Sequence, residues 1–260
     1  MAKEEQITSI QKYAQRYKLS TFAVIKKMNK GELKSIKKDG QDFIIDENIQ
    51  AQTAPDIKQS SMRRAEFSVE DKTAMLEILN SCEYGTLSLS DGDTPYGVPL
   101  NFAWLDESIV FHGSLEGKKM ELITQNPKAS FSVVKPFSFI PSYFSGTTSA
   151  CPATQFFASI TFDGEVEIIN DLDKKALALN ALMQKMQPEK KYEDIEATNP
   201  IYKKMLEKTA VFALHVKSSS IKIKAGQNLT CKKKDSLIKQ LSERAEKVDL
   251  ATIELIKKFS

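Results

Sequence analysis

Lys118 and Lys119 follow Gly117 and open an apolar-patterned stretch, which places two ammonium groups at the start of a predicted helix. The first amides of a helix lack intrahelical partners and its macrodipole is positive there, so such an end can hold a phosphate. Ser114, just upstream, can cap the helix or bond the phosphate, and both roles can coincide. Two apolar-rich strands must deliver this end: the segment 96–113 reads as a strand pair joined by the polar turn Leu105-Asp106-Glu107-Ser108.

The composition sets bounds on the rest. With 260 residues and 41% hydrophobic content, the chain can bury a full core in one medium domain with small attachments. A net charge of only +3 excludes an extended polycation, so any basic function is local. The sequence has no long apolar run and no signal-peptide core, which is the pattern of a soluble cytoplasmic protein with no membrane partner. Cys82, Cys151 and Cys231 are widely spaced, which favours reduced thiols. With His112 and His215 as the only histidines, no metal site is expected.

Residues 1–46 read as helix, turn, helix and hairpin. Ile10, Tyr13, Ala14 and Tyr17 give a helical face over 9–17; Ser20 caps a second helix that stops at Gly31, and Asp39-Gly40 suits a hairpin turn. The segment resembles the winged helix-turn-helix modules of the excisionase and MerR-like families. That resemblance implies DNA contacts by Thr21, Lys26 and Lys27 on the second helix and by Lys37 and Lys38 on the wing. Ten Lys or Arg stand against six Asp or Glu here, so the module is locally basic. A helical hairpin that docks on a partner subunit is the competing reading. Residues 47–61 are polar without periodicity and read as a linker.

From residue 62 the pattern changes to short alternating strands with few helices, which implies an antiparallel barrel. Ser68 is the expected cap of a helix over 68–82, and residues 129–134 form a further strand. Pro136 opens an expected long loop, 136–155, rich in aromatic residues. Residues 156–169 read as two strands turning at Asp163-Gly164, and 173–186 as a helix with Leu177, Ala181, Leu182 and Met186 on one face. A helix opened by Pro200 and a last strand over 209–216 follow, with 218–228 trailing from it and His215 structural. The tail from Asp235 is helical, with Leu237, Leu241, Ala245 and Val248 in register, and is expected to pack on the barrel or a second subunit.

Met62-Arg63-Arg64, the segment 95–102, FHGSLEGKK with its following Asn126-Pro127, the segment 149–169 and KIKAGQN together resemble the pyridoxamine 5′-phosphate oxidase-related flavoproteins. Within them the likeness is to the nitroimidazole-resistance branch. It implies a split β-barrel over 62–228, which with the winged-helix-like attachment at 1–46 and the helical tail at 229–260 gives an α+β fold. It also implies a homodimer with FMN at the subunit interface. The FMN contacts so implied are Arg63 or Arg64, Pro99, Leu100 and Asn101 along the ring, His112, Gly113 and Ser114 beside it, Lys118 and Lys119 at the phosphate, and Lys224 and Gln227 in the closing segment. Cys151 matches a family position and is expected to be a buried thiol.

On this reading the chain is an FMN-dependent oxidoreductase acting on a small oxidant such as a nitro compound, with His112 the candidate catalytic residue. A flavin- or redox-responsive DNA-binding regulator is the alternative, and haem binding or degradation the third.

Overall fold

The computed structural model describes residues 7–10, 13–14, 17, 19, 21–38, 41–46, 58–59, 65–69 and 71–259. The chain divides into two compact units, Met1–Asp56 and Ile57–Ser260.

In the first unit β1 (Ile7–Ser9), β2 (Ser35–Lys38) and β3 (Gln41–Ile45) form a three-stranded sheet in the order β1-β3-β2. Helix α1 (Thr21–Asn29) buries Val24 against Ala14 and Ile44. Gly31 ends it in the left-handed region, φ 72°, with Glu32 N donating to Lys27 O at 2.9 Å, the 6→1 bond of a Schellman stop. The segment 7–9 is a correction to the expected helix over 9–17: it pairs with β3, and helical backbone begins at Ile10. Ser20, Asp39 and Gly40 lie outside the described residues.

The second unit is α+β and is built on one antiparallel sheet. Its strands are β5 (Tyr84–Ser90), β6 (Pro95–Asn101), β7 (Ala103–Leu105), β8 (Ser108–Gly113), β9 (Lys128–Ile140), β10 (Thr154–Ile169) and β11 (Ala210–Lys224). They run in the order β6-β5-β9-β10-β11-β8-β7, with the short β4 (Lys58–Gln59) parallel to β11. The path starts at β6 and ends at β7 without joining them, so the curled sheet is a split barrel and not a closed one. Alternation sets the inner face: Phe131, Val133, Ala158, Ile160, Phe162, Phe111 and Phe212 are fully buried in one core. Phe102 interrupts the segment between β6 and β7, and its ring packs edge-on to Phe131 at 5.1 Å.

Three strands are longer than the sequence suggested. Pro136 does not open a loop, because β9 runs through it opposite Phe157 beside a register shift, and this reduces the loop to residues 141–153. Asp163-Gly164 is a bulge within a single 16-residue strand rather than a turn. Gly164 is required there because a Cβ would overlap the His215 carbonyl oxygen. β11 likewise continues through the trailing serines to Lys224.

The helices cover the sheet. Helix α2 (Lys72–Ser81) is capped by Asp71, whose Oδ1 accepts from Thr73 N at 2.8 Å, and not by Ser68, which bridges to Lys222. Helix α3 (Lys118–Gln125) follows β8. Helix α4 (Leu172–Met186) buries Ala178 and Leu182 on the outer face of β8 and β11, whereas Met186 is exposed. Helix α5 (Pro200–Lys208) ends against the buried Lys175, whose Nζ donates to Leu206 O and Thr209 O at 2.9 Å, a cation at a helix C-terminus. In the tail, α6 (Cys231–Arg244) is tied to β9 by Arg244 Nη1, which donates to Phe139 O at 2.9 Å. Helix α7 (Asp249–Lys258) packs on β9 through Ser138, whose Oγ donates to Asp249 Oδ1 at 2.5 Å. Ala245 ends α6 in the left-handed region, φ 52°, instead of continuing its apolar face.

Candidate functional site

The polar end of β8 leads directly into α3. Gly117 is the N-cap at φ 103°, a conformation that favours glycine, and no side chain caps the helix. The first helical bond is Glu121 N to Gly117 O at 3.1 Å, so the amides of residues 118–120 precede the ladder. Ser114 is committed elsewhere: its Oγ accepts from Glu116 N at 3.1 Å.

Lys119 is half-buried, and its Nζ lies 5.0 Å from the Phe212 ring centroid and 5.7 Å from that of Phe111. These two rings are stacked at 5.1 Å. The ammonium group passes over Gly113 in the space that a Cβ there would fill. Desolvation lowers the Lys119 pKa, since burial disfavours the charged form. Crowding around the His112 ring lowers its pKa too, and the Lys119 charge adds to the effect. Lys118 is exposed, with Nζ 5.3 Å from the Tyr96 ring centroid on β6. Among the described residues no ion pair joins either lysine to a carboxylate. Hydrogen bonds from the Thr94 and Asp93 amides lower the pKa of Asp91, and the Lys118 charge adds to the effect. Two cations without an ion-paired carboxylate, an uncapped helix end and a glycine cradle therefore share one corner, and this chemistry fits a dianionic phosphate.

Through Tyr96 the same corner adjoins β6, an edge strand whose outer backbone groups are unpaired by the sheet. Pro99, Leu100 and Asn101 pair inward with Thr86, Gly85 and Tyr84, and Asn101 Nδ2 donates to Glu83 O at 3.1 Å. The structure thus brings together His112, Gly113, Ser114, Lys118 and Lys119, with Tyr96 of β6 as neighbour. Lys224 and Gln227 lie at the other end of β11, whose first residue, Ala210, pairs with Gly113. Lys224 Nζ donates to Thr154 Oγ1, and the Gln227 amide spans its own turn, accepting from Ala225 N at 2.8 Å and donating to Ile223 O at 2.7 Å. Arg63 and Arg64 lie outside the described residues.

Residues 71–223, more than half of the chain, match the family model described as pyridoxamine 5′-phosphate oxidase. The chain belongs to that family. No curated protein matches it. Among solved structures, the flavocytochrome Anf3 of Azotobacter vinelandii is 21% identical over 66% of this chain and 76% of its own, with a TM-score of 0.55. An FAD- and haem-binding protein of Mycobacterium smegmatis is 21% identical over 61% of this chain and 74% of its own, TM-score 0.53. A candidate 5-nitroimidazole antibiotic resistance protein of Bacteroides thetaiotaomicron is 22% identical over 60% and 86%, TM-score 0.49. At these identities the feature shared with the first two is the fold.

Two features of this chain had no sequence signal, because their parts are far apart in the chain. Ser108 Oγ lies 3.1 Å from His215 Nδ1, and His215 Nε2 lies 2.6 Å from Glu167 Oε2. This has the hydrogen-bond order of a nucleophile, base and orienting acid. Ser108 is only 6% exposed, however, so it is closed to a substrate, and the chain of bonds ties β8, β11 and β10 together. The second is Lys185, whose Nζ is buried without a hydrogen-bond partner, 3.4 Å from the Phe102 ring centroid. Desolvation lowers its pKa to about 8, opposed by the Cys82 thiol, whose own pKa burial raises. Cys82 is buried as a core residue; Cys151 is exposed, contrary to expectation, because it sits in the loop 141–153.

Proposed function

We propose that the protein binds FMN and works as a flavin-dependent oxidoreductase on a small oxidant such as a nitro compound. The observation that carries this reading is the corner at Gly113, Gly117, Lys118 and Lys119, which presents amides and two cations free of close ion pairs at one helix start. Bound flavin would supply one- and two-electron transfer at its ring. The chain's part is to hold the phosphate with Lys118 and Lys119 and to offer the free edge of residues 99–101 to the polar rim of the ring. His112, kept towards its neutral form by partial desolvation and by Lys119, would exchange a proton near that rim.

The same reading includes a homodimer. Lys224 lies 14 residues along β11 from Ala210, roughly 45 Å of strand contour. On this reading a second copy brings its Lys224 end to the first copy's phosphate corner. Absorption spectroscopy with added FMN, together with the mass of the assembly in solution, tests both parts. A yellow dimer with one flavin per chain supports them, and a colourless protein refutes the cofactor.

A further inference from the structure

A cavity of about 720 Å³ lies within the second unit, between the segment 140–154 and the start of α6. Its body is apolar and aromatic, from Phe67, Phe144, Phe156 and Leu237, and its polar side carries Lys224, Lys232 and Lys233. No Asp or Glu is among the described lining residues. Its walls are tied in place: Gln240 Nε2 on α6 donates to Phe144 O at 2.9 Å, and the Arg244 guanidinium lies 5.5 Å from the Phe144 ring centroid.

The cations stand where a helix least tolerates them. The first turn of α6 holds Lys232, Lys233 and Lys234 with no acidic residue, against the positive end of the macrodipole. That placement costs helix stability unless an anion sits there, and the cavity opens at the same point. We infer that this cavity binds an organic anion with an apolar body, its acid group held by Lys232 and Lys233 and its body set among the phenylalanines. The volume is that of an ordinary small-molecule site, apolar with few polar anchors. Four of its lining residues lie in α6, beyond the matched segment 71–223, while Lys224 is shared with the proposed flavin site. The anchors of the acid group, Lys232 and Lys233, are not among the residues assigned to the flavin.

The test titrates the full chain with the fluorescent anion 1-anilinonaphthalene-8-sulfonate and with its neutral relative N-phenyl-1-naphthylamine. The anion is expected to bind once per chain, more tightly than the neutral probe, and not to be displaced by FMN. Lys232→Glu with Lys233→Glu is expected to weaken it at least about tenfold, through loss of two charge-assisted contacts, while raising the melting temperature by relieving the helix end. Lys232→Gln with Lys233→Gln is expected to weaken it less and serves if the first variant fails to fold. Unchanged affinity in the folded variant, equal binding of the neutral probe, or displacement by FMN would each overturn the inference.

Discussion

The ammonium group of Lys119 lies over Gly113 so closely that a methyl group on that residue would overlap it. Lys119 is thereby held against Phe111 and Phe212 while remaining without a carboxylate partner among the described residues. Glycine at 113 thus sets where a cation stands, and the substitution Gly113→Ala should displace it. The obstacle is the far end of a flexible side chain, so the fold should persist. FMN affinity is expected to fall about tenfold, with the melting temperature of the free protein nearly unchanged, as read by titration and calorimetry.

Lys185 places a buried ammonium group against Phe102 without a hydrogen-bond partner. Its pKa is about 8 in the fold against an ordinary 10.5, so between those values the unfolded chain binds more protons. The cost of burying the charge is present in full below about pH 8 and is lifted as pH rises to 10.5. Lys185→Met should therefore stabilise the protein at pH 7 by on the order of 1–2 kcal/mol and flatten its stability profile over that alkaline window, measured by urea melts.

Asp249 is fully buried beneath the tail and bonds Arg244, Ser138 and Glu246 N. The Arg244 hydrogen bond lowers its pKa to about 2 from an ordinary 3.8. The stabilisation is present above pH 3.8 and is lost as pH falls through about 2. Asp249→Asn leaves Arg244 without its buried partner and is expected to cost about 3 kcal/mol at neutral pH, with a weaker acid dependence in thermal melts.

Gly164 should be as sensitive as any core position. Any Cβ there meets the backbone of His215 rather than a movable side chain. Gly164→Ala is expected to cost about 2–3 kcal/mol in denaturant melts, because the bulge must open or β11 must shift.

These cases show where sequence patterning sufficed and where it did not. The helix start at Gly117, Lys118 and Lys119 was legible because it lies close behind β8 in the chain, so local periodicity defines it. The buried alternation of Phe131, Val133, Ala158 and Ile160 was legible for the same reason. Pro136 and Asp163-Gly164 carried turn chemistry, yet tertiary pairing turned one into a strand interior and the other into a bulge. Nothing local distinguishes those outcomes, since the deciding partners, Phe157 and His215, lie elsewhere in the chain. The Ser108–His215–Glu167 chain and the α6 cavity were hidden likewise, by separations of 48 and 107 residues in the first case.

The most direct test of the FMN reading is a fluorescence titration of FMN into the purified protein and into the Lys118→Ala, Lys119→Ala double variant. Loss of two charge-assisted phosphate contacts is expected to raise Kd at least about 100-fold in a variant that still folds. Equal affinity in the two proteins, or no FMN binding by the unmodified one, would contradict the assignment of this corner to the flavin phosphate.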